Sequence, residues 1–139
     1  MRGIMIFTIA AAAVFFLPQS SFCADFPRQI VFENIPYAPH LIYPAGEEAV
    51  LDQKQDQLEF KWLNTYNDIR YFIFKIYKGY ETTARTLIEE QKPGAHADSL
   101  RINTDIFENG QVYTWTLTPV AINGDKGNKS FNAFKFVRK

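Results

Sequence analysis

Leu58, Phe60 and Trp62 alternate with Glu59 and Lys61, and this two-residue period constrains the fold more than any other feature of the chain. A strand sends successive side chains to opposite faces, so the segment has one apolar and one charged side. Phe72, Phe74 and Ile76 alternate with Tyr71, Ile73, Lys75 and Tyr77. Both of those faces are largely apolar or aromatic, which marks a central strand whose outer face is also partly covered. Tyr113, Trp115 and Leu117 alternate with Thr114, Thr116 and Thr118, a β-branched outer face that favours strand. Phe134 and Phe136 repeat the pattern around Lys135. Beyond the first two dozen residues no segment keeps a helical period.

Turn signals separate the runs. Pro44-Ala45-Gly46 follows a short first strand, His40 to Tyr43. Asn64 to Asp68 joins the second run to the third, and Lys92-Pro93-Gly94 breaks the chain after Leu87-Ile88. Asn109-Gly110 precedes the Tyr113 strand, and Asn123 to Gly127 closes it. Asn-Gly pairs readily take the positive φ of a tight turn. About seven short strands with frequent turns is the pattern of a β-sandwich.

The first two dozen residues are different. Arg2 supplies one positive charge, and Ile4 to Leu17 is an uncharged apolar run broken by Pro18. A run of roughly 14 apolar residues followed by small residues describes a secretory signal peptide. It is short of the about 20 residues that span a bilayer. We therefore expect a leader over residues 1–24 and export to the periplasm or the exterior, with no transmembrane segment after cleavage. Cleavage after Cys23 places Ser21 and Cys23 at the two specificity positions, whereas cleavage after Ala24 puts Phe22 at one of them. A lipoprotein anchored through Cys23 is the less favoured alternative, because Ser20-Ser21-Phe22 is unlike a lipobox. Either ordinary cut removes the chain's one cysteine, leaving no disulfide and no thiol.

Arg2 is the only charged residue in the leader, so cleavage takes the net charge from zero to −1. Lys135, Arg138 and Lys139 make the one local basic excess, which is no footprint for DNA or RNA. Aromatic residues make up 16% of the 139 residues, enough to build a dense core in one domain. Phe60, Trp62, Phe72, Phe74, Phe107, Tyr113, Trp115, Phe134 and Phe136 are the expected core. Burying one such side chain contributes roughly 1.5–3 kcal/mol, against about 2–4 kcal/mol for a disulfide.

The stretch Phe107-Glu108-Asn109-Gly110-Gln111-Val112-Tyr113-Thr114-Trp115 resembles a segment of fibronectin type III domains reading apolar-x-Pro-Gly-Thr-x-Tyr-x-aliphatic. Phe107, Gly110 and Tyr113 match it; Asn109 and Gln111 stand where proline and threonine are usual. Trp62 looks like that family's core tryptophan, Phe72-x-Phe74-x-Ile76 is similar to its third strand, and Ser130 to Phe136 resembles its closing strand. The resemblance covers about Ala38 to Val137. It implies an all-β, seven-stranded fibronectin type III or immunoglobulin-like β-sandwich over residues 38–139. It also implies a tyrosine corner in which the Tyr113 hydroxyl bonds to the backbone a few residues upstream. Residues 25–37 precede the match. Ile30-Val31-Phe32 is either an extra strand, paired with its own sheet edge or a neighbour's, or part of an ordered lead-in packed on the sandwich.

Such a fold says little about activity, because sandwiches host many unrelated roles. His40 and His96 lack the spacing of a metal site, and no nucleophile elbow, phosphate loop or calcium loop is present. Carboxylates cluster at Glu47-Glu48, Glu89-Glu90 and Asp105 to Glu108, where exposed loop charge is the expected role. Asn128-Lys129-Ser130 is a formal glycosylation sequon. We expect no catalytic, cofactor-binding or metal residues. Tyr66, Tyr71, Tyr77 and Tyr80 lie in or beside the third run and are the candidate surface for binding, unless they pack against each other. The expected role is a non-catalytic interaction module for a protein partner at the cell envelope. The alternative is a carbohydrate-binding module that uses those tyrosines.

Overall fold

A computed structural model describes residues 38–46 and 48–139. The expected leader over residues 1–24, Cys23 with its acylation, and the lead-in over residues 25–37 lie outside the described residues. Eight strands follow in order: β1 (His40–Tyr43), β2 (Glu48–Leu51), β3 (Gln57–Leu63), β4 (Ile69–Lys78), β5 (Leu87–Gln91), β6 (Ser99–Asn103), β7 (Val112–Ala121) and β8 (Ser130–Arg138). A single 3₁₀ turn, Thr104–Ile106, interrupts them among the described residues. No helix among those residues is long and apolar enough to cross a membrane.

The strands form two sheets, ordered β1-β3-β6 and β2-β8-β7-β4-β5. All pairings are antiparallel except β2 with β8, which is parallel. Their inner faces pack on each other, which makes the domain an immunoglobulin-like β-sandwich. The eight segments amount to the expected seven strands with the first one divided. The chain runs β1 beside β3, turns at Pro44 to Gly46, and re-enters as β2 beside β8. Gly46 takes a φ of 69°, and its amide donates to the Ala133 carbonyl at 3.0 Å. The indole Nε1–H of Trp115 donates to the Pro44 carbonyl at 2.8 Å, so the crossover is held from inside the core.

The core is the set of residues selected by the alternation. Leu58, Phe60 and Trp62 of β3 face Phe72, Phe74 and Ile76 of β4 and Tyr113, Trp115 and Leu117 of β7, all at most 1% exposed. Phe60 lies at its centre. Its ring meets Phe74 and Trp115 at centroid distances of 5.1 Å each and Phe134 at 5.7 Å, all edge-to-face. That geometry sets the positive ring edge against a negative face and adds roughly 0.5–1.5 kcal/mol per pair beyond area burial. Phe107 stacks on Phe136 at 5.2 Å and meets Tyr113 edge-on at 4.9 Å. The Tyr113 hydroxyl accepts the Glu108 amide hydrogen at 2.7 Å, the bond of a tyrosine corner. Gly110, at φ 81°, turns the chain between them and donates to the Phe136 carbonyl.

Strands β2 and β6 carry weak sequence signals. Each sends only two apolar side chains inward, Ala49 and Leu51 in β2 and Leu100 and Ile102 in β6. Their positions come from pairing with β8 and β3 rather than from their own pattern.

Trp62 is 1% exposed, and its Nε1 has no hydrogen-bond partner. Its contribution is therefore packing, mainly against Phe72 at 5.8 Å. Trp62→Ala will cost about 3–5 kcal/mol in a denaturant titration. Tyr113→Phe keeps the ring but leaves the Glu108 amide without its acceptor, and will cost about 1–2 kcal/mol in the same measurement.

Candidate functional site

The outer face of the five-stranded sheet is the part of the surface with an unusual composition. Thr114, Thr116 and Thr118 of β7 point outward, yet Thr114 is 3% and Thr116 1% exposed. The register explains this. Thr114 sits between Tyr77 of β4 and Ala133 of β8, and Thr116 between Lys75 and Phe131. Tyr77 beside Thr114, and Lys75 and Phe131 beside Thr116, cover the hydroxyl-bearing row.

Two rings stand above that covered row. Tyr80 is 76% and Phe131 70% exposed, the most exposed large apolar side chains among the described residues. Phe131 lies an odd number of positions before the inward-facing Phe134 and Phe136, so the strand sends it to the opposite face. Tyr80 follows Gly79, whose φ of 82° turns the chain out of β4. The Gly79 amide donates to the Val112 carbonyl at 2.8 Å, and its carbonyl accepts the Thr114 hydroxyl at 2.7 Å. Further along the same loop, the Thr86 hydroxyl donates to the Glu81 carbonyl at 2.6 Å and accepts the Thr83 amide at 3.1 Å. The loop is thus fixed at both ends, and Tyr80 is held over β7.

Between the rings runs an open groove. One hollow, of about 460 Å³, is lined by Tyr80, Thr82, Phe131, Ala133 and Lys129 among others. An adjoining hollow of about 890 Å³ shares Tyr80, Asn132 and Ala133 and continues to Glu48 and Val50 of β2. The threonine floor offers little to a polar ligand, since both residues are buried and the Thr114 hydroxyl already bonds to Gly79.

The charges on this face are mostly paired. Lys75 lies 3.8 Å from Glu90 of β5, and Lys135 lies 3.6 Å from Glu48 of β2. Lys129 has no carboxylate within ion-pair distance among the described residues. Away from the groove, the hydrogen bond that the Lys78 ammonium donates to the Glu108 carboxylate holds it above the ordinary lysine range, and burial raises the Tyr43 hydroxyl.

The four tyrosines expected at the surface do not form one patch. Tyr77 is only 6% exposed, so it is removed from the binding surface; it fills the outer face beside Thr114. Tyr71 is half-buried, with the Lys92 ammonium 5.8 Å from its ring centre. Tyr66 is 37% exposed in the β3–β4 loop, where its amide donates to the Asn64 side chain. Only Tyr80 lines the groove, and its counterpart Phe131 was not among the expected surface residues. Trp62, Phe74, Phe107, Tyr113 and Trp115 are all buried. Among the described residues no three His, Cys, Asp or Glu side chains converge as a metal site would require.

No protein-family model matches the chain, and no curated protein matches it in sequence. Solved structures resemble it. The spore cortex lytic enzyme SleM of Clostridium perfringens matches over 72% of this chain with a TM-score of 0.50 and 14% identity. A β-1,2-glucanase of Parabacteroides distasonis matches over 73% with a TM-score of 0.48 and 16% identity, and murine CRIg over 73% with 0.46 and 14%. The matched region spans 28% of the lytic enzyme, 13% of the glucanase and 98% of CRIg. At this identity the likeness is one of fold.

Tyr80→Ala and Phe131→Ala remove side chains that are mostly in water, so each will change stability by no more than about 0.5 kcal/mol. Tyr77→Ala opens a void on a covered face and will cost about 2–4 kcal/mol. Urea denaturation of the three variants measures the contrast.

Proposed function

We propose that this chain is a non-catalytic binding module of fibronectin type III-like character, exported beyond the cytoplasm, which engages a protein partner at the cell envelope through the groove between Tyr80 and Phe131. The observation that carries the reading is two exposed rings held over a covered, weakly polar floor. Solvent-exposed aromatic rings on a rigid support cost free energy in isolation, and buried aromatics dominate the energetics of protein interfaces. Tyr and Phe lose little conformational freedom on contact, and here the backbone is already fixed by the Gly79 bonds beside Tyr80 and by the pairing of β8 with β7 at Phe131.

The fibronectin type III character draws support from the Tyr113 hydroxyl bond to Glu108, from Trp62 in the core on β3, and from the divided first strand. The apolar run from Ile4 to Leu17 supports export. Carbohydrate is the competing ligand class. It is less well served by this floor, because a sugar's hydroxyls need several partners and the threonines beneath have little accessible surface.

Site-specific photocrosslinking in the native cell tests this. A benzophenone side chain placed at Phe131 will give one discrete higher-mass protein adduct, as will one at Tyr80. The same probe at Arg101, on the outer face of the three-stranded sheet, will give none. Equal labelling from both faces, or no protein adduct from the groove, contradicts the proposal.

A further inference from the structure

We infer that the segment seated in the groove is acidic and carries an apolar anchor side chain, with its carboxylates facing Lys129. This inference rests on the binding role proposed above and names the chemistry of the partner. Its basis is the charge pattern of the face. Lys75 and Lys135 point outward from β4 and β8, and Lys129 lies in the loop just before β8. Lys75 is matched by Glu90 and Lys135 by Glu48, each supplied by an edge strand. Lys129 lines the smaller hollow next to Phe131, and no carboxylate lines that hollow. Glu81 follows Tyr80 in the chain but borders neither hollow. Lys129 is therefore an uncompensated positive charge in the lining of the hollow that holds both exposed rings.

Electrostatic complementarity of this kind chooses among partners and fixes their register more than it adds raw affinity. The rings supply the anchor site: Phe131 and Tyr80 flank a floor of Ala133 and the covered threonines on which an apolar side chain packs, while Thr82 and Asn132 of the same hollow remain to meet polar groups of the segment. A basic segment would place like charges at Lys129, and a purely polar one would desolvate the rings with no compensating contact.

The test uses short peptides and NMR of the purified, isotope-labelled chain. Three capped hexapeptides each carry one phenylalanine, flanked by two glutamates, two lysines or two serines; trigalacturonate is the carbohydrate probe. The glutamate peptide will shift the resonances of Tyr80, Phe131 and Ala133 and bind about fivefold more tightly than the lysine peptide. In Lys129→Glu that preference will vanish or reverse, while the serine peptide binds within about twofold of its original strength. Lys129 is exposed and forms no ion pair among the described residues, so the variant folds. Equal affinity for the glutamate and lysine peptides overturns the inference, as does a preference that survives Lys129→Glu. Absence of groove shifts with every peptide at millimolar concentration also overturns it, and shifts with trigalacturonate alone assign the groove to a glycan. The crosslinking experiment reads the presence of a protein partner whatever its charge, so the two proposals fail separately.

Discussion

The Phe60 ring is the point at which the two sheets close on each other. It comes from β3, the middle strand of the three-stranded sheet, and enters a socket made by Phe74, Trp115 and Phe134 of three adjacent strands in the other. Each of those contacts is edge-to-face, so the ring's orientation is defined as well as its depth. Everything outside depends on that registration. With β7 set by Trp115 on its inner side, Thr114 and Thr116 are set on its outer side, because a one-residue slip would exchange the faces. Trp115 extends the constraint to the chain crossover through its bond to the Pro44 carbonyl.

The domain divides its aromatic residues by parity. Phe134 and Phe136 go to the core and Phe131 to the surface, on one strand, by position alone. The same rule sends Phe74 inward and Tyr77 outward, with an irregularity in the β4–β5 pairing between Ile76 and Tyr77. Tyr77 nonetheless ends up covered, and the outer face acquires a second, thin apolar layer. That layer is why the groove floor is covered although its sequence reads threonine.

How much of this was legible beforehand follows from which interactions are local. The alternating runs gave β3, β4, β7 and β8, because a two-residue period is written into consecutive side chains. The tyrosine corner was legible too, since its partners lie five residues apart. Strands β2 and β6 were not, as their order comes from backbone pairing with remote strands. The candidate face was half legible. Four tyrosines near one strand suggested a patch, but exposure depends on what adjacent strands place beside each one. Tyr77 is covered by its cross-strand setting, and Tyr80 is lifted out by Gly79 and its bonds to β7. Phe131 was detectable by counting from Phe134, had the odd spacing been weighed as heavily as the aromatic character.

The core and the groove are built from separate residues. Tyr80 and Phe131 rest on backbone positions fixed by β7 and β8, and neither side chain belongs to the core cluster. Their replacement alters the exposed groove while Phe60 and its socket keep the sheets in register. A stable scaffold with exchangeable surface residues is the physical reason one sandwich supports many binding roles. In this chain the paired lysines Lys75 and Lys135 belong to the scaffold, because their carboxylates sit on the edge strands they help to hold. Lys129 does not, since it is exposed and in no ion pair among the described residues, so its charge can change without cost to the fold.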